Sequence, residues 1–113
     1  MASMQEFVGE ISRVQGVKSY SVLRRDGQVL SHTVRIAERV AAMIVLCGLS
    51  AESVMTAAGL SGLRCLVLAR GKKEKLLVFP TTQFFLLVIE APGVYTPDLL
   101  RNIEGIIQSA MPA

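Results

Sequence analysis

Four side chains with acid–base potential fall within Val14 to Thr33, VQGVKSYSVLRRDGQVLSHT: Arg24, Arg25, Asp26 and the only histidine, His32. A carboxylate grouped with arginines and an imidazole is one way to build a general acid–base site. Asp-Gly between two runs of strand-forming residues is equally the pair that a tight hairpin turn needs, with positive φ available at Asp26-Gly27. That reading makes Asp26 a turn residue flanked by solvated arginines. His32 has no second histidine and no Cys or carboxylate at metal-ligand spacing, so it reads as a strand-end side chain.

The other chemically suggestive stretches reduce in the same way. Gly59-Leu60-Ser61-Gly62 lacks the Gly-Lys-Ser/Thr ending of a phosphate loop and leads from helix to strand, so it reads as a helix stop and turn. Cys47 and Cys65 form no C-x-x-C pair and are expected to be buried thiols in a reducing compartment, the cytoplasm. Lys72, Lys73 and Lys75 put charge on a turn, where solvation is the favoured reading and contact with an acidic partner or lipid headgroups the alternative. Met43 and Met55 read as core or dimer filler. No Ser-His-Asp or Cys-His arrangement can be assembled, so the expectation is a protein that is not an enzyme, with no catalytic residues, cofactor or metal.

Composition narrows the partners. Lys plus Arg number 12 against 9 Asp plus Glu, giving a net charge of +3 without Trp or interleaved aromatics, a poor match to nucleic-acid binding. Nothing resembles a signal peptide, and the uncharged run Val40 to Ala51 is shorter than the roughly 17 residues of a membrane span, so no span is expected. Hydrophobic residues make up 51%, more than a small monomer needs to bury, which points to apolar surface covered by another subunit.

The elements that position these residues follow from periodicity, and residues 1–113 read as one domain. Met4, Phe7, Val8, Ile11 and Val14 form an amphipathic helix ending near Gly16. Val17 to Arg24 and Gln28 to His32 form a hairpin. Val34 to Ala58 reads as one helix stopped by Gly59, with a break into two at Gly48 as the alternative. Leu63 to Ala69, Lys75 to Phe79 and Phe84 to Glu90 form a meander with apolar residues on both faces. Thr96-Pro97-Asp98 opens the last helix, with Thr96 as the cap residue. The fold class is α+β, order α-β-β-α-β-β-β-α, a five-stranded antiparallel sheet sandwiched by helices.

That element order, the VQGVKSYSVLRRDGQVL hairpin, the Ala-rich long helix, GLSGLRCLVLARG and LLVFPTTQFFLLVIEAPG together resemble the Roadblock / dynein light-chain family, of the bacterial small-GTPase-regulator type. The resemblance implies a profilin-like or longin-like sandwich, homodimerisation and work as a non-catalytic partner of Ras-like small GTPases. The basic turn Gly71 to Lys75 is not part of the resemblance.

Residues 40–49 are apolar almost all round, which a helix covering one sheet face does not require. In the family's sheet order, Leu63 to Ala69 lies at an edge and carries no proline to discourage pairing. The expected dimer interface is therefore Val40, Met43, Ile44, Cys47, Cys65, Leu66 and Leu68. Arg35, Glu38, Arg39 and Glu52, on exposed turns of the long helix, are the expected contacts to a GTPase. A small-ligand sensor, or a motor-complex adaptor without a GTPase, is the alternative, since the fold alone decides no function.

Overall fold

The computed structural model describes residues 3–33, 36–69 and 75–110. Its elements are α1 (Met4–Ser12), β1 (Val17–Arg24), β2 (Val29–His32), α2 (Glu38–Ala57), β3 (Leu66–Leu68), β4 (Leu76–Pro80), β5 (Phe84–Glu90) and α3 (Thr96–Ala110). The strands form one antiparallel sheet in the order β2-β1-β5-β4-β3, which leaves β2 and β3 at the edges.

Alternation along the strands builds two cores. Tyr20, Val22, Leu77, Phe79, Phe84, Leu86 and Val88 pack with Phe7, Ile11, Leu99 and Ile103 of α1 and α3. Leu23, Val78, Phe85 and Leu87 point the other way, onto Ala41, Ile44 and Val45 of α2. A strand buried on both faces cannot alternate apolar with polar, which is why β5 reads FFLLVIE.

Helix ends follow local chemistry. Ser3 caps α1 by accepting from the Glu6 N–H at 3.2 Å, and its hydroxyl donates to the Glu6 carboxylate at 3.4 Å. α1 stops at Ser12, before the left-handed turn at Gly16. α2 is a single helix through Gly48. It closes in a Schellman motif: Gly59 has φ +73° and the Leu60 N–H donates to the Met55 carbonyl at 2.9 Å.

Three local expectations are corrected. Thr96 does not cap α3: the Tyr95 carbonyl accepts the first helical bonds, from Asp98 and Leu99, so Thr96 is already helical. Its hydroxyl instead donates to the buried carboxylate of Glu90, at 2.8 and 3.0 Å, and accepts from Lys75 Nζ at 3.2 Å. β3 spans only Leu66–Leu68 rather than Leu63 to Ala69. Leu66 faces Val78, so Arg64 would face Pro80, which has no N–H for a longer ladder. At the hairpin, only Gly27 takes positive φ, at +99°, and Asp26 does not. Gly27 N–H donates to the Arg24 carbonyl (2.8 Å) and Arg24 N–H to Gln28 (2.7 Å), making a three-residue loop rather than a two-residue turn.

Candidate functional site

The hairpin tip is tied together by its own polar side chains. Arg24 forms a two-point ion pair with Asp26, whose Oδ1 also accepts from the Gln28 N–H at 3.1 Å. These bonds, the one from Arg24 first, lower the Asp26 carboxyl to about 2. His32 stands exposed at the end of β2, two strand positions beyond the bulge, and is not brought to Asp26.

Arg25 is the residue that sequence reasoning misjudged. Its guanidinium donates to both oxygens of Glu52 on α2, at 2.8 and 3.0 Å, and to the Thr81 carbonyl in the β4–β5 turn, at 3.1 Å from Nε. The same group lies over the Phe85 ring, 4.6 Å from its centroid. A planar fork satisfies these partners together; a lysine would not. Nothing in the local sequence signals this, because Arg25 and Glu52 are 27 positions apart.

The surface of α2 divides into three. Ala41, Ile44, Val45 and Gly48 face the sheet. Ala42 lies against Gly27, and Glu52 against Arg25, so one flank faces the hairpin tip. The opposite flank, at about 100° per residue, carries Val40, Met43, Cys47 and Val54, turned away from the hairpin. Val40, Met43 and Val54 are 47%, 56% and 65% exposed, and Cys47 is an exposed free thiol. By length and mean hydropathy α2 could cross a membrane, although the shorter uncharged run Val40 to Ala51 argued otherwise. In this fold its inner side is committed to the sheet, and the apolar excess lies outside.

The expected interface residues are therefore split. Val40, Met43 and Cys47 stand on the outer flank, whereas Ile44 is 5% exposed and packs into its own core. Cys65 packs toward α1 and α3, where burial pushes its thiol up to about 12. Leu66 packs toward α2, and Leu68 is half-buried. Cys47 is thus not a buried thiol, because the helical turn that buries Ile44 and Gly48 points it outward. Val54 and Val67 were not among the expected interface residues, and both are exposed; the seven-residue spacing 40, 47, 54 places the first of them on the outer flank.

Of the expected partner contacts, Glu38 and Arg39 line an open concavity of about 680 Å³ with Asp26, Gly27, Gln28, Val29 and Ala42. Glu52 is engaged by Arg25. Arg35 lies outside the described residues, as do Lys72 and Lys73 of the basic turn. Among the described residues no group of three or more His, Cys, Asp or Glu side chains could hold a metal ion.

A five-stranded antiparallel sheet with α1 and α3 on one face and α2 on the other defines a profilin-like α+β protein. The family model described as Roadblock/LC7 domain matches residues 4–91, and the chain belongs to that family. A Roadblock/LC7 domain from Streptomyces avermitilis superposes with a TM-score of 0.77 at 18% identity, covering 98% of this chain and 97% of that one. Myxococcus xanthus MglB superposes with a TM-score of 0.65 at 12% identity over 93% and 88% of the two chains. Schizosaccharomyces pombe profilin gives 0.73 at 13%, over 98% and 100%. No curated protein sequence matches the chain. Roadblock/LC7 proteins are in general non-enzymatic regulators or adaptors.

Proposed function

We propose that the chain is a homodimeric, non-catalytic scaffold of the cytoplasm that binds a Ras-like small GTPase and modulates its GTP hydrolysis or localisation. The observation that carries this reading is the outer flank of α2 within a Roadblock/LC7 fold: an uncharged row of Val40, Met43, Cys47 and Val54 open to solvent. A second copy covers it without setting like charges against each other.

The two sheet edges differ in a way that supports the same assembly. β2 carries an irregularity where Val22 and Leu23 pair with Ser31 and Val29, and such bulges blunt an edge. β3 is regular against β4, with Val67 43% exposed. An edge of that kind accepts another strand. The interface proposed is thus Val40, Met43, Cys47 and Val54 with the β3 edge, and Ile44 serves from behind by seating the helix.

The concavity beside Glu38 and Arg39 is the proposed GTPase contact. A scaffold that binds one switch conformation better shifts the GTPase toward it without donating a catalytic group. The test is nucleotide-dependent capture: the immobilised protein is exposed to extract from its own cells with a non-hydrolysable GTP analogue or GDP, and retained proteins are identified by mass spectrometry. A small GTPase retained with the analogue alone is the expected result. Its absence under both nucleotides sinks the GTPase reading in favour of an adaptor.

A further inference from the structure

The concavity beside Glu38 and Arg39 has two walls of different origin. One is residues 26–29 at the hairpin tip, and the other is the start of α2, with Glu38, Arg39 and Ala42. The walls meet at Gly27, where an added Cβ would lie 3.4 Å from the Ala42 Cα. A contact of that kind is weak and has no preferred direction, so it does not fix the gap. Nor does Asp26, whose carboxylate is turned back onto Arg24 and the Gln28 N–H. Among the described residues, the hydrogen bonds that join the hairpin to α2 are those from Arg25 to Glu52, at 2.8 and 3.0 Å. Glu52 stands ten positions beyond Ala42, about 15 Å along the helix, so this tie is made well outside the concavity.

We propose that Arg25 is the positioning residue of this concavity: by clamping the hairpin to Glu52 it sets the gap between the two walls, while the exposed Glu38 and Arg39 meet the partner. This rests on the GTPase contact proposed above and adds the residue that shapes it. The clamp is directional. Two side-by-side bonds to Glu52 fix the plane of the guanidinium, its Nε donates to the Thr81 carbonyl at 3.1 Å, and the Phe85 ring supports its face at 4.6 Å. Thr81 is a firm anchor, because its buried hydroxyl donates to the Phe84 carbonyl at 2.9 Å and accepts from the Phe84 N–H at 3.0 Å. Asp26 follows Arg25 directly, so the orientation of residue 25 is passed to the tip. A wall held in place before binding spares the partner the entropy of ordering it. Lysine, a single point of charge on a flexible stem, keeps the attraction to Glu52 and loses the fixed orientation.

The experiment uses the full chain, isotopically labelled. The nuclear Overhauser effect between the Gly27 α-hydrogens and the Ala42 methyl reads the gap directly. It is compared in the parent, Arg25→Lys, the milder Glu52→Gln, and Ile11→Val. The last is the control, since Ile11 packs in the core on the opposite sheet face and losing a methyl there lowers stability without touching the clamp. The signal should fall about threefold or more in Arg25→Lys, less in Glu52→Gln, and hold in Ile11→Val. The small GTPase retained in the capture experiment, loaded with the GTP analogue, is then titrated with each variant at a temperature where all are folded. Binding should weaken about tenfold for Arg25→Lys and stay within about twofold for Ile11→Val. Lost stability alone would move neither reading under those conditions. A parental Gly27–Ala42 signal in Arg25→Lys overturns the proposal, and so does undiminished binding when that signal is lost. If no GTPase is retained with either nucleotide, the GTPase reading falls by itself, and the Gly27–Ala42 signal still decides whether Arg25 sets the gap.

Discussion

Gly48 and Phe85 interlock: a Cβ at position 48 would lie 2.5 Å from the Phe85 ring carbon Cε1. Glycine in a helix interior costs about 1 kcal/mol relative to alanine, and here the missing methyl is what lets α2 sit on the sheet. The ring held beneath Gly48 is the one over which Arg25 lies. The glycine, the phenylalanine, the arginine and Glu52 therefore form one joint between α2, β5 and the hairpin.

Gly48→Ala should destabilise the protein despite its better helix propensity. The ring is fully buried, and overpacking costs typically about 1–3 kcal/mol. Urea unfolding should show a net loss of up to about 2 kcal/mol after the propensity gain is subtracted. A variant as stable as the parent would mean that α2 can lift off the sheet.

Arg25→Lys should behave more like Arg25→Ala than like the parent. The lysine keeps the charge but cannot serve Glu52, the Thr81 carbonyl and the Phe85 face together, and either change should cost about 1–3 kcal/mol. A double-mutant cycle with Glu52→Gln should return a coupling of about 1 kcal/mol, since both side chains are about a third exposed and partly screened. Zero coupling would reduce the pair to a surface contact.

Acid should weaken the hairpin through Asp26. Its carboxyl is lowered to about 2, chiefly by the hydrogen bond from Arg24. A depressed pKa contributes stability that is complete above the unfolded value of about 3.9 and is lost as pH falls through about 2. Melting temperatures of the parent and of Asp26→Asn, compared from pH 5 to pH 2, should converge as the pH drops. A gap that stays constant would assign the effect to turn geometry alone.

Ser21→Ala should be neutral or stabilising. The hydroxyl is fully buried on β1 opposite Leu87 and has no hydrogen-bond partner among the described residues, so the native side chain bears a desolvation cost that alanine removes. The expected gain is up to about 1 kcal/mol in urea unfolding. A clear loss would reveal a partner for the hydroxyl in solution.

Periodicity made the fold class legible: the strand β5 was placed to the residue, because its apolar run begins after Gln83 and closes at Glu90. The α2 stop was equally legible, since Gly59 is the residue that a left-handed helix end requires. Arg25 was not, because a surface arginine and one committed to a distant carboxylate look the same in a local window. Nor was Ile44, since in a helix apolar all round the sequence does not say which side meets the sheet.

The sequence by itself determined what depends on neighbours along the chain: element order, the hairpin, the helix stop and the two-sided burial of the meander. Only the tertiary structure decided which way α2 is turned, and with it that Cys47 and Val54 look outward while Ile44 and Gly48 look in. The cause is a contact between residues 37 positions apart, the Phe85 ring against the Gly48 backbone, which permits one rotation of the helix. The pairing of Thr96 with Glu90 was likewise decided by packing, since a hydroxyl placed to cap its own helix was taken by a buried carboxylate. Local chemistry proposes such roles, and a buried group in need of a partner reassigns them.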